Sequence, residues 1–103
     1  MGKLLLTPSA VFSAPVSIPV AGGAPVEVMM KFKHRTKKDL DAFVKGRVDK
    51  SDVDAFTEMV SGWDLEDEFS PANIELLLEN YIGTAVATFQ AYVDELVRGR
   101  QKN

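Results

Sequence analysis

From Ala14 to Lys33 apolar side chains fall at every second position, and beyond Thr36 they fall at every third or fourth. Val16, Ile18 and Val20 alternate with Ser17 and Pro19, and Val26, Val28, Met30 and Phe32 alternate with Glu27, Met29, Lys31 and Lys33. Ala21-Gly22-Gly23-Ala24 lies between the two runs. Period-two alternation on both sides of a Gly-Gly pair predicts a β-hairpin over 14–33. Pro15, Pro19 and Pro25 have no N–H to give a ladder, so 14–20 is expected as an edge strand. The hairpin has one apolar face, and two strands alone are barely stable in water. Helices are therefore expected to cover that face.

The helical period predicts four such helices, at about 37–48, 52–60, 71–81 and 84–98. Thr36 and Ser51 are good N-caps, each with an aspartate three residues on, and Ser70 precedes Pro71 at the favoured first helical position. The expected inward stripes are Leu40, Phe43, Val44 and Val48, then Val53, Phe56, Met59 and Val60. They continue as Ile74, Leu77, Leu78 and Tyr81, then Val86, Phe89, Val93, Leu96 and Val97. Ser61-Gly62 stops the second helix. Residues 63–69 are expected as a loop in which Trp63 and Phe69 are structural anchors, with Tyr81 a third anchor on the following helix. Residues 1–13 carry only Leu4-Leu5-Leu6, Val11 and Phe12, interrupted by Thr7-Pro8-Ser9, and are expected to be a loosely ordered segment; Gln101-Lys102-Asn103 is expected to fray. The resulting fold class is α+β: an N-terminal β-hairpin packed on a bundle of about four α-helices, forming one domain over 14–103.

Composition narrows the function classes. A chain of 103 residues with 46% hydrophobic and 26% charged positions can build one core without staples. It has no cysteine, which excludes disulfides, thiolate metal sites and cysteine nucleophiles. No apolar run approaches the roughly 20 residues that span a bilayer, and Leu4-Leu5-Leu6 is too short for a signal-peptide core. A cytosolic location is expected. The net charge of −3 conceals a split: residues 1–50 carry nine Lys/Arg against four Asp/Glu, and residues 51–103 carry three against eleven. The halves either attract one another within the fold or present faces of opposite sign to different partners.

No constellation points to catalysis. His34 is the only histidine and sits between Lys33 and Arg35 at the end of a predicted strand. The cluster Asp64, Glu66, Asp67, Glu68 lacks the glycine and distal glutamate of a calcium loop, and one loop does not make the cleft that paired catalytic carboxylates need. A solvated acidic loop beside a helix N-terminus is the better reading, and no metal or cofactor is expected. The basic stretch Lys31, Lys33, His34, Arg35, Lys37, Lys38 has phosphate-binding character. It has no exposed interleaved aromatic, and a sequence pI of about 5.1 argues against a dedicated nucleic-acid binder. Lys31, Lys33 and Arg35 on one side, and Asp64, Glu66 and Asp67 on the other, are the candidate partner-binding residues. Tyr92 is expected on a helix with its ring buried and its hydroxyl reaching water.

One set of residues has a family likeness. Val60-Ser-Gly-Trp63-Asp64, the acidic stretch ending in Phe69-Ser70, Asn73-Ile-Glu-Leu-Leu-Leu78, Asn80-Tyr81, Phe89-Gln-Ala-Tyr92 and the Lys102-Asn103 end resemble the tailed-bacteriophage tail assembly chaperone family. Phe32-Lys-His34-Arg35-Thr36 looks like that family's strand-to-helix junction. Ile82 follows Tyr81 where a proline is expected in many relatives, which softens the kink there. The resemblance implies a non-enzymatic protein that binds the tape measure protein and tail tube protein during long-tail assembly. It also implies action in the host cell cytoplasm, absence from the mature virion, and in many cases a second, frameshifted long form. Self-association is permitted by an edge strand and halves of opposite charge. Two other readings stay open: a small nucleic-acid-associated regulatory protein using the basic 31–38 junction, and a structural tail component that remains in the particle.

Overall fold

The computed structural model describes residues 4–99, so the expectations for residues 1–3 and for the frayed 101–103 end lie outside the described residues. Strand β1 (Val11–Ile18) pairs antiparallel with β2 (Val26–Lys33), with Val16 opposite Val28. The connecting turn closes through the Gly23 N–H, which donates to the Val20 carbonyl at 3.0 Å. Gly22 there has φ +77°, a conformation that side chains with a Cβ rarely adopt. Helix α1 (Lys37–Gly46) runs into a 3₁₀ turn at Arg47–Asp49, and α2 (Asp52–Met59) follows. Strand β3 (Val60–Trp63) then adds to the free side of β2, giving the order β1-β2-β3. Helices α3 (Pro71–Asn80) and α4 (Thr84–Val97) complete the chain. The architecture is mixed α+β, a three-stranded antiparallel sheet with four helices.

All the burial lies on one side of the sheet. Ala14, Val16 and Ile18 of β1 and Val28, Met30 and Phe32 of β2 are buried, while Ser13, Ser17, Glu27, Lys31 and Lys33 face outward. Phe43, Phe56, Met59, Ile74 and Tyr92 close the core from the helices. Tyr92 stacks on Phe32 at 5.3 Å and on Phe12 at 6.3 Å, with Phe43 edge-on at 6.1 Å.

Four differences from the sequence reading have physical causes. The hairpin begins at Val11, not at 14, because Phe12 stacks on Phe32 at 5.5 Å and recruits the preceding residues to the ladder. The second helix ends at Met59, and Val60–Trp63 is a strand instead of a helix end and a loop start. Four residues including a glycine carry almost no period-two signal, and Ser61 is an extra residue, a bulge lying between the Lys31–Gly62 and Phe32–Val60 pairs. The first helix stops at Gly46, so Val48 lies in the 3₁₀ turn and is exposed, as is Val44. On α4 the fully buried row is Thr84, Thr88 and Tyr92, while Val86 and Val97 are exposed. The small threonines let α4 lie close on β1, and that close approach, not residue hydrophobicity, sets the rotation of the helix.

Candidate functional site

The basic junction is built at the end of β2. Helix α2 has no basic residue in its last turn, so its final carbonyls need donors from elsewhere. Lys33 Nζ donates to the Thr57 carbonyl at 2.8 Å, and an Arg35 guanidinium N–H donates to the Glu58 carbonyl at 2.6 Å. The same nitrogen of Arg35 donates to the Tyr92 hydroxyl at 2.9 Å, and that hydroxyl donates to the Lys33 carbonyl at 2.7 Å. Arg35 also lies 4.6 Å over the Phe43 ring, and its other terminal nitrogen is 3.7 Å from a Glu58 carboxylate oxygen. Glu58 accepts a second cation, Lys50, at 2.8 Å; this hydrogen bond raises the Lys50 pKa above its ordinary value.

Arg35 is thus a half-buried brace between β2, α2 and α4, with only 18% of its side chain exposed, and not the freely exposed contact residue that the sequence suggested. Lys33 has its ammonium committed to the end of α2. Of the three candidate cations, Lys31 alone is exposed on the outer sheet face with no such tie. Tyr92 sends its hydroxyl inward to this junction, not to water.

The acidic loop is pinned through its backbone. Asp64 continues the β2–β3 ladder: its N–H donates to the Met29 carbonyl at 3.1 Å and its carboxylate accepts from the Met29 N–H at 3.0 Å. Trp63 donates its indole N–H to the Asp67 carbonyl at 2.8 Å and meets Phe69 edge-on at 5.0 Å and Phe56 at 6.4 Å. The Asn73 amide donates to the Glu68 carbonyl at 2.7 Å, and Ser70 caps α3. The Asp67 and Glu68 carbonyls are thus held by side chains, and Glu66, Asp67 and Glu68 are exposed. Among the described residues no three acidic or histidine side chains converge as a metal site, and no helix is long and apolar enough to cross a membrane.

Beside that loop lies a groove of about 410 Å³. It is lined by Val20 and Val26 at the hairpin tip, Trp63 and Leu65 by the loop, Leu76 and Leu77 of α3, and Tyr81 just past the end of that helix. Tyr81, read from the sequence as an anchor, is 40% exposed and lines this groove. Sequence reasoning did not single out Leu76, which is 58% exposed. The available signal was the run Leu76-Leu77-Leu78, wider than one inward stripe requires. The acidic loop and the basic junction are not brought together: among the described residues the ion pairs run from Arg35 and Lys50 to Glu58.

The family model described as phage tail assembly chaperone matches residues 1–103, the whole chain. The chain belongs to that family. No curated protein and no solved structure matches it. A tail assembly chaperone works on protein partners, so the features that matter in this chaperone are surfaces for protein contact. Its groove and the outer side of its acidic loop are exposed, whereas Arg35 and Asp64 tie the scaffold around them together.

Proposed function

We propose that this chaperone binds the tape measure protein and the tail tube protein of its phage while the long tail assembles. It acts in the host cell cytoplasm, performs no catalysis, and leaves before the virion matures. The whole-chain family match carries this reading. The open apolar groove supports it, because a partner with exposed apolar stripes needs a complementary apolar surface to stay soluble. Glu66, Asp67 and Glu68 lie along an exposed loop beside that groove, in keeping with a contact surface. The nucleic-acid alternative is weakened because Lys33 and Arg35 spend their donors on the end of α2. The test is co-expression with the tape measure protein of the same phage. Soluble tape measure protein is expected to rise severalfold and to co-purify with the chaperone; unchanged solubility without co-purification overturns the reading.

A further inference from the structure

We propose that the groove between the hairpin tip and α3 is the docking site for an amphipathic helix whose apolar stripe is flanked by lysine or arginine. This rests on the proposed chaperone role and names the surface and the chemistry of the segment that it captures.

The charge around the groove selects the occupant. From Ser51 to Val97 the chain has eleven Asp/Glu and not one Lys or Arg. Every loop and helix residue that the second half of the chain contributes to the groove therefore comes from a segment without a cation. Asp67 lies in the wall itself, Glu66 and Glu68 flank it in the loop, and Glu79 follows on α3 next to the wall residue Asn80; all are exposed. The hairpin side of the groove is apolar, formed by Ile18, Val20, Val26 and Val28. An apolar segment with acidic flanks would meet like charge along the loop and α3, whereas a basic one meets opposite charge there.

The backbone selects a helix over an added strand. The ladder on the groove side of β2 is closed at Met29 by Asp64. One outward position, Glu27, remains before Pro25, which has no N–H. A single position cannot register an extra strand. Helix α3, in contrast, offers Asn73, Leu76, Leu77 and Asn80 at the i, i+3, i+4, i+7 spacing that packs against another helix. The wall residues Leu76, Val26 and Tyr81 remain between two-fifths and three-fifths exposed, an apolar surface that the fold itself does not cover.

Trp63 lines the groove and is the only tryptophan, so its fluorescence reports occupancy directly. The probe is a synthetic amphipathic helical peptide with leucines at i, i+3, i+4 and i+7 and lysines on both flanks; its control carries glutamates in place of the lysines. The lysine peptide is expected to shift Trp63 emission to shorter wavelength with saturation, and to bind progressively more weakly as salt rises. Leu76→Asp, at an exposed position that leaves the core intact, is expected to weaken that binding about tenfold or more. The double change Asp67→Lys, Glu79→Lys is expected to reverse the preference toward the glutamate peptide. Equal binding of both peptides, or undiminished binding by folded Leu76→Asp, overturns the proposal. Co-expression separates the two readings: if Leu76→Asp still solubilises the tape measure protein, the groove assignment fails and the chaperone role stands. If the peptide binds as described while the wild-type chain does not solubilise the tape measure protein, the groove stands and the chaperone role fails.

Discussion

Tyr92 is fully buried, and its hydroxyl stands between the Lys33 carbonyl and the Arg35 guanidinium. Tyr92→Phe keeps the stacking on Phe12 and Phe32 and removes only that oxygen. It leaves a partly buried carbonyl without its donor and is expected to cost about 1 kcal/mol, read as a lower urea midpoint at unchanged slope. Thr88 presents the opposite case. Its hydroxyl is buried without a hydrogen-bond partner. Thr88→Val has nearly the same shape and removes the stranded polar atom, so it is expected to raise stability by about 1 kcal/mol in the same measurement. Neither role can be read along the chain. The aromatic character of position 92 was legible, but the direction of its hydroxyl depends on Lys33 and Arg35, more than fifty residues earlier in the sequence. The basic stretch around Arg35 was equally legible, and its use as a brace was not, because the carbonyls it satisfies belong to another helix.

At the scale of elements, the helix starts were written locally. Thr36, Ser51 and Ser70 each accept the N–H of the residue three positions on, as their sequence contexts predict. The helix ends and the third strand were less legible. β3 exists because Asp64 and Ser61 are held against β2, with Met29 and Lys31 as their partners, and such pairing leaves no pattern in a four-residue segment. The α3–α4 junction adds a contact of its own. A Cβ built on Gly83 would stand 2.9 Å from the Pro19 ring, although Gly83 has an ordinary backbone conformation. Gly83→Ala therefore has to push the hairpin tip away, and is expected to lower stability by about 1–3 kcal/mol as judged by thermal unfolding. The same displacement widens the groove, since Val20 and Val26 sit on that tip. On the other edge of the sheet Pro15 occupies an outward position in β1, which interrupts the row of donors that a foreign strand would need.

Across the whole molecule, charge and apolar surface are distributed together. The basic half supplies the hairpin, the junction and α1, and part of its charge is spent internally on the end of α2. In the acidic half Glu58 pairs with Arg35 and Lys50, while Glu66, Asp67 and Glu68 remain exposed beside an open apolar wall. The ion pairs that join the two halves therefore leave the acids of the 66–68 loop exposed. Acidic residues remain along the loop and α3 side of the groove, and these give the proposed capture of a basic helix its salt dependence. The sequence by itself determined the α+β class, the hairpin, the helix caps and the family, because these rest on short-range periodicity and on motifs that a single segment carries. Only the tertiary structure decided that Arg35 and Asp64 are scaffold, that Tyr81 and Leu76 line a groove, and that β3 closes most of one sheet edge. Those outcomes depend on which carbonyls and apolar faces are left unsatisfied once distant segments have packed, and no local pattern carries that information.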